Sequence, residues 1–195
     1  AGSNGPFRRF GKAFIHENNV YYFGGENLAA TKSSNGFKGT IVDGEIIDSS
    51  WQENSTQFPA ALPRTLTRYN LVISGSYIYV ISGLYSSIND LVYRANLSDF
   101  LTGSAAWVTV QTFTTPFFGG STAIINNYAY IFANAVVTPV GSRSIYRASM
   151  TELANGVCNF IEQTNVLPSS TKPYYSSCVC VDDYVMLLGG NDGVA

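Results

Sequence analysis

The chain has 195 residues, 46% of them hydrophobic, 14% aromatic and only 12% charged, which supplies a large core and excludes a disordered polypeptide. Eleven basic residues against thirteen acidic ones leave a formal net charge of −2, with no basic stripe, so a nucleic-acid partner is not expected. No apolar run reaches the roughly 20 residues of a membrane-spanning helix, and AGSNGPFRRF lacks the apolar core of a signal peptide.

In chain order, residues 1–10 form a lead-in, and AFIHENNVYYFGG then reads as an apolar strand, a two-residue polar turn, a second apolar strand and the glycine pair Gly24-Gly25. A third strand is predicted at Phe37-Lys38-Gly39-Thr40, then the acidic turn in TIVDG, a fourth strand at Trp51, and a return carrying Pro59 and Pro63. LVISGSYIYVISG repeats the first half and ends on Ser82-Gly83. Tyr93-Arg94-Ala95-Asn96, NLSDFLTG, Trp107 and Pro116 repeat the second. The third copy runs AIINNYAYIFAN, Tyr146-Arg147-Ala148-Ser149, SMTELANG, Phe160 and Pro168, its glycine pair replaced by Ala133-Asn134. CVCVDDYVMLLGG, ending on Gly189-Gly190, opens a fourth copy. The predicted units are therefore residues 11–64, 65–116 and 117–172, each with four strands, and 173–195 with the first two strands of another.

A strand-built repeat of roughly 50 residues is the sign of a propeller of the kelch kind. The order of strand, turn, strand, Gly-Gly, variable loop, Tyr-bearing strand and Trp resembles the kelch repeat in a degenerate form. The resemblance implies an all-β, kelch-like β-propeller of about three and a half four-stranded blades. Under it, Gly24, Gly25, Gly83, Gly189 and Gly190 allow tight turns and close approach of the next blade, and Trp51, Trp107 and Phe160 plug the seams between blades. Three and a half blades leave apolar faces and strand edges open, so the chain is expected to belong to a larger propeller, completed by blades of the same or another chain.

Residue inventories narrow the function. Cys158, Cys178 and Cys180 are odd in number and make no disulfide framework, so buried free thiols are expected, with a Cys158 to Cys178 bridge as the awkward alternative. His16 is the single histidine, so neither a metal site nor the copper-radical oxidases that share kelch repeats fit, and no cofactor is expected. The Asp-box turns of sialidase propellers, a nucleophile elbow and a phosphate loop are absent from the sequence. Paired loop acids, Glu26, Asp90 and Asp192, keep a glycoside hydrolase-like propeller as an alternative. Lys38, Arg94 and Arg147 recur at one place in each unit, and Asp43, Asp99 and Glu152 are their expected ion-pair partners. Asn54-Ser55-Thr56 and Asn96-Leu97-Ser98 fit the glycosylation acceptor pattern, which matters only in a eukaryotic secretory setting.

Function on such a scaffold belongs to the loops. Connections 26–36, 84–90 and 134–143, with the proline-bearing returns, are expected on one face. Their candidate ligand-binding residues are Glu26, Lys32, Tyr85, Asn89, Asp90, Arg143, Asn191 and Asp192. Hydroxyls and amides beside a ring such as Tyr85 suit a sugar. The leading expectation is a non-catalytic module that binds a glycan or protein receptor, in a phage tail fibre or surface adhesin at a virion or extracellular surface. A cytoplasmic kelch adaptor for protein partners and a structural spacer are the other readings.

Overall fold

A computed structural model describes residues 8–27, 29–53, 60–133, 144–163 and 177–188. Among these residues the chain is all-β, built as four antiparallel sheets that follow one another along the sequence. The first sheet holds β1 (Lys12–His16), β2 (Asn19–Phe23), β3 (Gly36–Val42), β4 (Glu45–Ile46) and β5 (Gln52–Glu53), with β4 and β5 pairing different halves of β3. The second has β6 (Asn70–Ser74), β7 (Tyr77–Ile81), β8 (Leu91–Asn96) and β9 (Val108–Thr112) in sequential order. The third repeats it with β10 (Ser121–Ile125), β11 (Tyr128–Phe132), β12 (Ile145–Ser149) and β13 (Ile161–Glu162), and the fourth contains β14 (Ser177–Val181) and β15 (Tyr184–Leu188).

Local chemistry explains the hairpins. Each opening pair of strands is joined by two residues, the first of which has positive φ: Glu17, Gly75, Asn126 and Asp182. Glycine, asparagine and aspartate meet that demand at least cost, and the positive torsion matches the twist of the flanking strands. Gly24-Gly25 and Gly83 also have positive φ at the ends of β2 and β7. Asn134, Gly189 and Gly190 lie outside the described residues, as do Pro59 and Pro168.

Successive sheets pack face on face in one repeated manner. Phe14, Tyr21 and Phe23 of the first sheet meet Ile78, Val80 and Tyr93 of the second in one core cluster. The opposite face of the second sheet, with Val72, Tyr79, Ile81 and Val92, meets Ala129, Ile131 and Tyr146 of the third. Ala123 and Phe132 of the third then meet Cys178, Cys180, Val185 and Leu187 of the fourth. Both faces of β7 are thereby covered, and only its first residue, Tyr77, is not fully buried. Among the described residues no further sheet packs on the far faces at the two ends, where Ile15 is exposed on the first sheet and Val179, Tyr184, Met186 and Leu188 on the fourth.

The seam aromatics occupy three environments. Phe160 is buried in the cluster between the second and third sheets. Trp107 packs partly buried on the cluster between the first and second, edge-on to Phe100 at 5.8 Å, and its Nε1 donates to Ala61 O at 2.8 Å. Trp51 is half-buried near the Gly39 and Val20 positions, on the face of the first sheet that meets no described neighbour.

The segments NLSDFLTG and SMTELANG differ from the expected turns: they contain short helices, α1 (Leu97–Thr102) and α2 (Met150–Ala154). The last residue of the preceding strand caps each one. Asn96 Oδ1 accepts from Ser98 N at 2.9 Å, Ser149 Oγ accepts from Glu152 N at 3.4 Å, and Gly103 closes α1 in the left-handed region. Leu97 and Phe100, one turn apart, bury into the core and hold α1. Asn96→Ala should therefore cost about 1 kcal/mol and Asn96→Asp almost nothing, as read from urea denaturation midpoints.

The ion pairs expected for Arg94 and Arg147 are also corrected. Arg94 donates from Nη1 to Gly156 O in the turn after α2, across the seam to the third sheet, and lies over Tyr77 at 4.8 Å. Arg147 lies over Tyr128 at 4.5 Å. These guanidiniums cover the first aromatic ring of the second strand, a favourable contact of about 0.5–1 kcal/mol when exposed. The acids five residues on, Asp99 and Glu152, instead occupy the first turns of α1 and α2, where the helix dipole favours a negative charge.

The cysteines are unbridged and each is half-buried. Burial pushes the Cys158 thiol up to about 12, and its Sγ stands 3.4 Å from Gln111 Oε1. Cys178 Sγ donates to Thr122 O at 2.9 Å, linking β14 to β10.

Candidate functional site: the loop face and its axial mouth

The first strand of every sheet starts, and the second ends, at the same end of the molecule, so connections 24–35 and 82–90 gather there with the returns before β6 and β10. Backbone bonds tie them together: Gly25 N to Leu66 O at 2.9 Å, Arg68 N to Phe10 O at 2.9 Å and Leu62 N to Ser34 O at 3.0 Å. The expected residues divide by environment.

Glu26 and Asn89 are turned inward. The Glu26 carboxylate is buried 3.0 Å from Arg9 Nε and 3.7 Å from Arg68 Nη2, so one charge serves two guanidiniums. Asn89 is buried and satisfies the turn after β7: its Nδ2 donates to Ser82 O at 3.2 Å, and its carbonyl accepts from Ser82 Oγ at 3.0 Å. Asp90 is half-buried, and its backbone carbonyl accepts from Phe113 N at 2.8 Å.

Lys32 and Tyr85 face outward together. Lys32 Nζ donates to the backbone carbonyl of Tyr85, a residue 39% exposed, and the Arg64 guanidinium lies 5.8 Å from the Tyr85 ring centroid. Lys32 thereby anchors the Tyr85 backbone, and Arg64 from another loop lies over the exposed ring. Arg143, Asn191 and Asp192 lie outside the described residues.

Sequence reading passed over the cations in the returns. Arg8, Arg9, Lys12, Lys32, Arg64 and Arg68 all gather at or near this end, six of the eleven basic residues in the chain. Arg68 and Arg9 also lie over Phe10, at 4.4 and 5.2 Å. The available signal was the basic pair or singlet just ahead of the first strand, in FRRFGK and PRTLTRYN. It was read as lead-in and return.

At this end the four first strands, β1, β6, β10 and β14, line an open cavity of about 390 Å³. Each is an edge strand of its sheet, so unpaired backbone groups ring the space. A mouth of about 200 Å³, bounded by Phe10, Lys12, Arg68, Gly119-Gly120 and Ser177, adjoins it. Lys12 and Ser177 border both. Burial lowers the Lys12 pKa, with the neighbouring Cys178 opposing the change.

His16 lies elsewhere, on a wide groove with Glu17, Lys38 and Gln52 between the first sheet and α1. Among the described residues no three His, Cys, Asp or Glu side chains stand close enough to hold a metal ion, and no helix is long and apolar enough to cross a membrane. No known family model matches the chain, and no curated protein shows significant similarity to it.

Proposed function

We propose that the four sheets are consecutive blades of a kelch-like β-propeller and that the protein is a non-catalytic recognition module, displaying its loop face to a glycan receptor from a phage tail fibre or surface adhesin. The repeated packing of one sheet face on the next supports the propeller, because a fixed rotation per repeat brings the first strands to a common axis. Further blades, from the same or another polypeptide, would cover the open apolar faces of the first and fourth sheets.

The observation that carries the recognition reading is exposed Tyr85, its backbone carbonyl bonded by Lys32 and its ring approached by Arg64 on a sheet scaffold. Ordering it in advance removes part of the entropy cost of stacking on a sugar. The test is a glycan array probed with the protein, followed by titration of the best binder against Tyr85→Ala. The variant is expected to bind about tenfold more weakly, the equivalent of roughly 1.4 kcal/mol, while its thermal midpoint stays near wild type because the side chain is on the surface. Tight binding to a protein partner with no glycan bound would overturn the reading in favour of an adaptor.

A further inference from the structure

We infer that the receptor glycan is acidic and that one of its carboxylates seats at the axial mouth beside Lys12, with Arg68 at the rim. The inference rests on the glycan-recognition reading and narrows it to a ligand class. Three features of the site support it.

The first is the sign of the site. Lys12 and Arg68 border the mouth, and among the described residues no aspartate or glutamate lines either it or the cavity beneath. The carboxylate that meets Arg68, that of Glu26, is shared with Arg9. A neutral chain such as a plain hexose polymer gives this charge nothing to meet, whereas a uronate does.

The second is Lys12 itself. It is half-buried at the head of β1 and has no carboxylate partner among the described residues, so an incoming anion would supply the charge it lacks. The third is a hydroxyl left over in the same place. Ser121 occupies in β10 the position Lys12 holds in β1 and is 4% exposed. Its Oγ faces the Cys178 thiol and has no other polar partner among the described residues. Ser177, at the matching position in β14, adds a second hydroxyl at the mouth. Lys12 and Ser177 at the mouth, with Ser121 in the adjoining cavity, offer an ammonium group and two hydroxyls from three different sheets to a carboxylate, which accepts several bonds from different directions.

Trigalacturonate and maltotriose, matched in length, separate the alternatives when titrated calorimetrically into the protein at constant ionic strength. Trigalacturonate is expected to bind at least tenfold more tightly, and Lys12→Gln to bring its affinity down to that of maltotriose. Sodium acetate, added to the wild-type protein, should compete with trigalacturonate but leave any maltotriose binding unchanged, a readout that does not depend on the variant folding. Equal affinity for the two trisaccharides, or an unchanged affinity in a folded Lys12→Gln, overturns the acidic-glycan inference and leaves glycan recognition standing. If neither trisaccharide binds and the glycan array is also blank, the recognition reading fails with it.

Discussion

Tyr79→Ala is expected to destabilise the protein by about 3–5 kcal/mol, the range for removing a large aromatic from a packed core. Tyr79 is completely buried between the second and third sheets, and its hydroxyl donates to Leu153 O in α2 at 2.6 Å. Burial pushes its phenol up to about 12, so it remains a protonated donor through the whole range in which the fold is handled. Truncation removes apolar contact to both sheets and the bond that ties α2 to the seam. Tyr79→Phe separates the two contributions. Leu153 O keeps a bond from Gly156 N at 3.0 Å, so losing the hydroxyl should cost only about 1 kcal/mol. Urea denaturation followed by circular dichroism reads both. A loss below about 1 kcal/mol for the alanine variant would show that the seam is not a cooperative part of the core.

Gly83→Ala is expected to cost about 2–4 kcal/mol, for two reasons that add. Its φ of +110° disfavours any side chain, and a Cβ there would stand 2.8 Å from Tyr69 Cβ and 3.1 Å from Thr67 O. Neither neighbour moves easily, since Tyr69 is fully buried and its hydroxyl donates to Phe23 O at 2.6 Å. Gly44→Ala is the control: φ there is +84°, but nothing lies within 4 Å of the added Cβ. That substitution should show the torsional cost alone, about 1 kcal/mol. Equal thermal shifts for the two variants would refute the close approach of the chain at the end of β7.

Much of the local structure was legible before folding was considered. The apolar runs flanking Glu17, Gly75, Asn126 and Asp182 announce four hairpins, because a two-residue turn with positive φ and the alternation of side chains determine both strand pairing and register. Tyr93-Arg94 and Tyr146-Arg147 mark third strands for the same reason. The helices α1 and α2 escaped notice because segments of five and six residues have too little intrinsic helix stability to show in composition. What holds α1 is the burial of Leu97 and Phe100 against the neighbouring strands.

The candidate site was far less legible. Tyr85 and Lys32 could be named as loop residues, but their contact joins two loops more than fifty positions apart. Glu26 looked like an available acid until two arginines closed on it, and Arg94 looked like a partner for Asp99 until the next sheet offered Gly156 O. By itself, then, the sequence determined what depends on neighbours along the chain: strands, turns, and a repeat that buries alternate faces. The tertiary structure alone decided which charges share a carboxylate, which side chains are withdrawn from water, and that six cations scattered over sixty residues gather at or near one end of the molecule. Turn torsions and side-chain alternation act between adjacent residues, whereas electrostatics and desolvation act through space, and distance through space is set only when the sheets have packed.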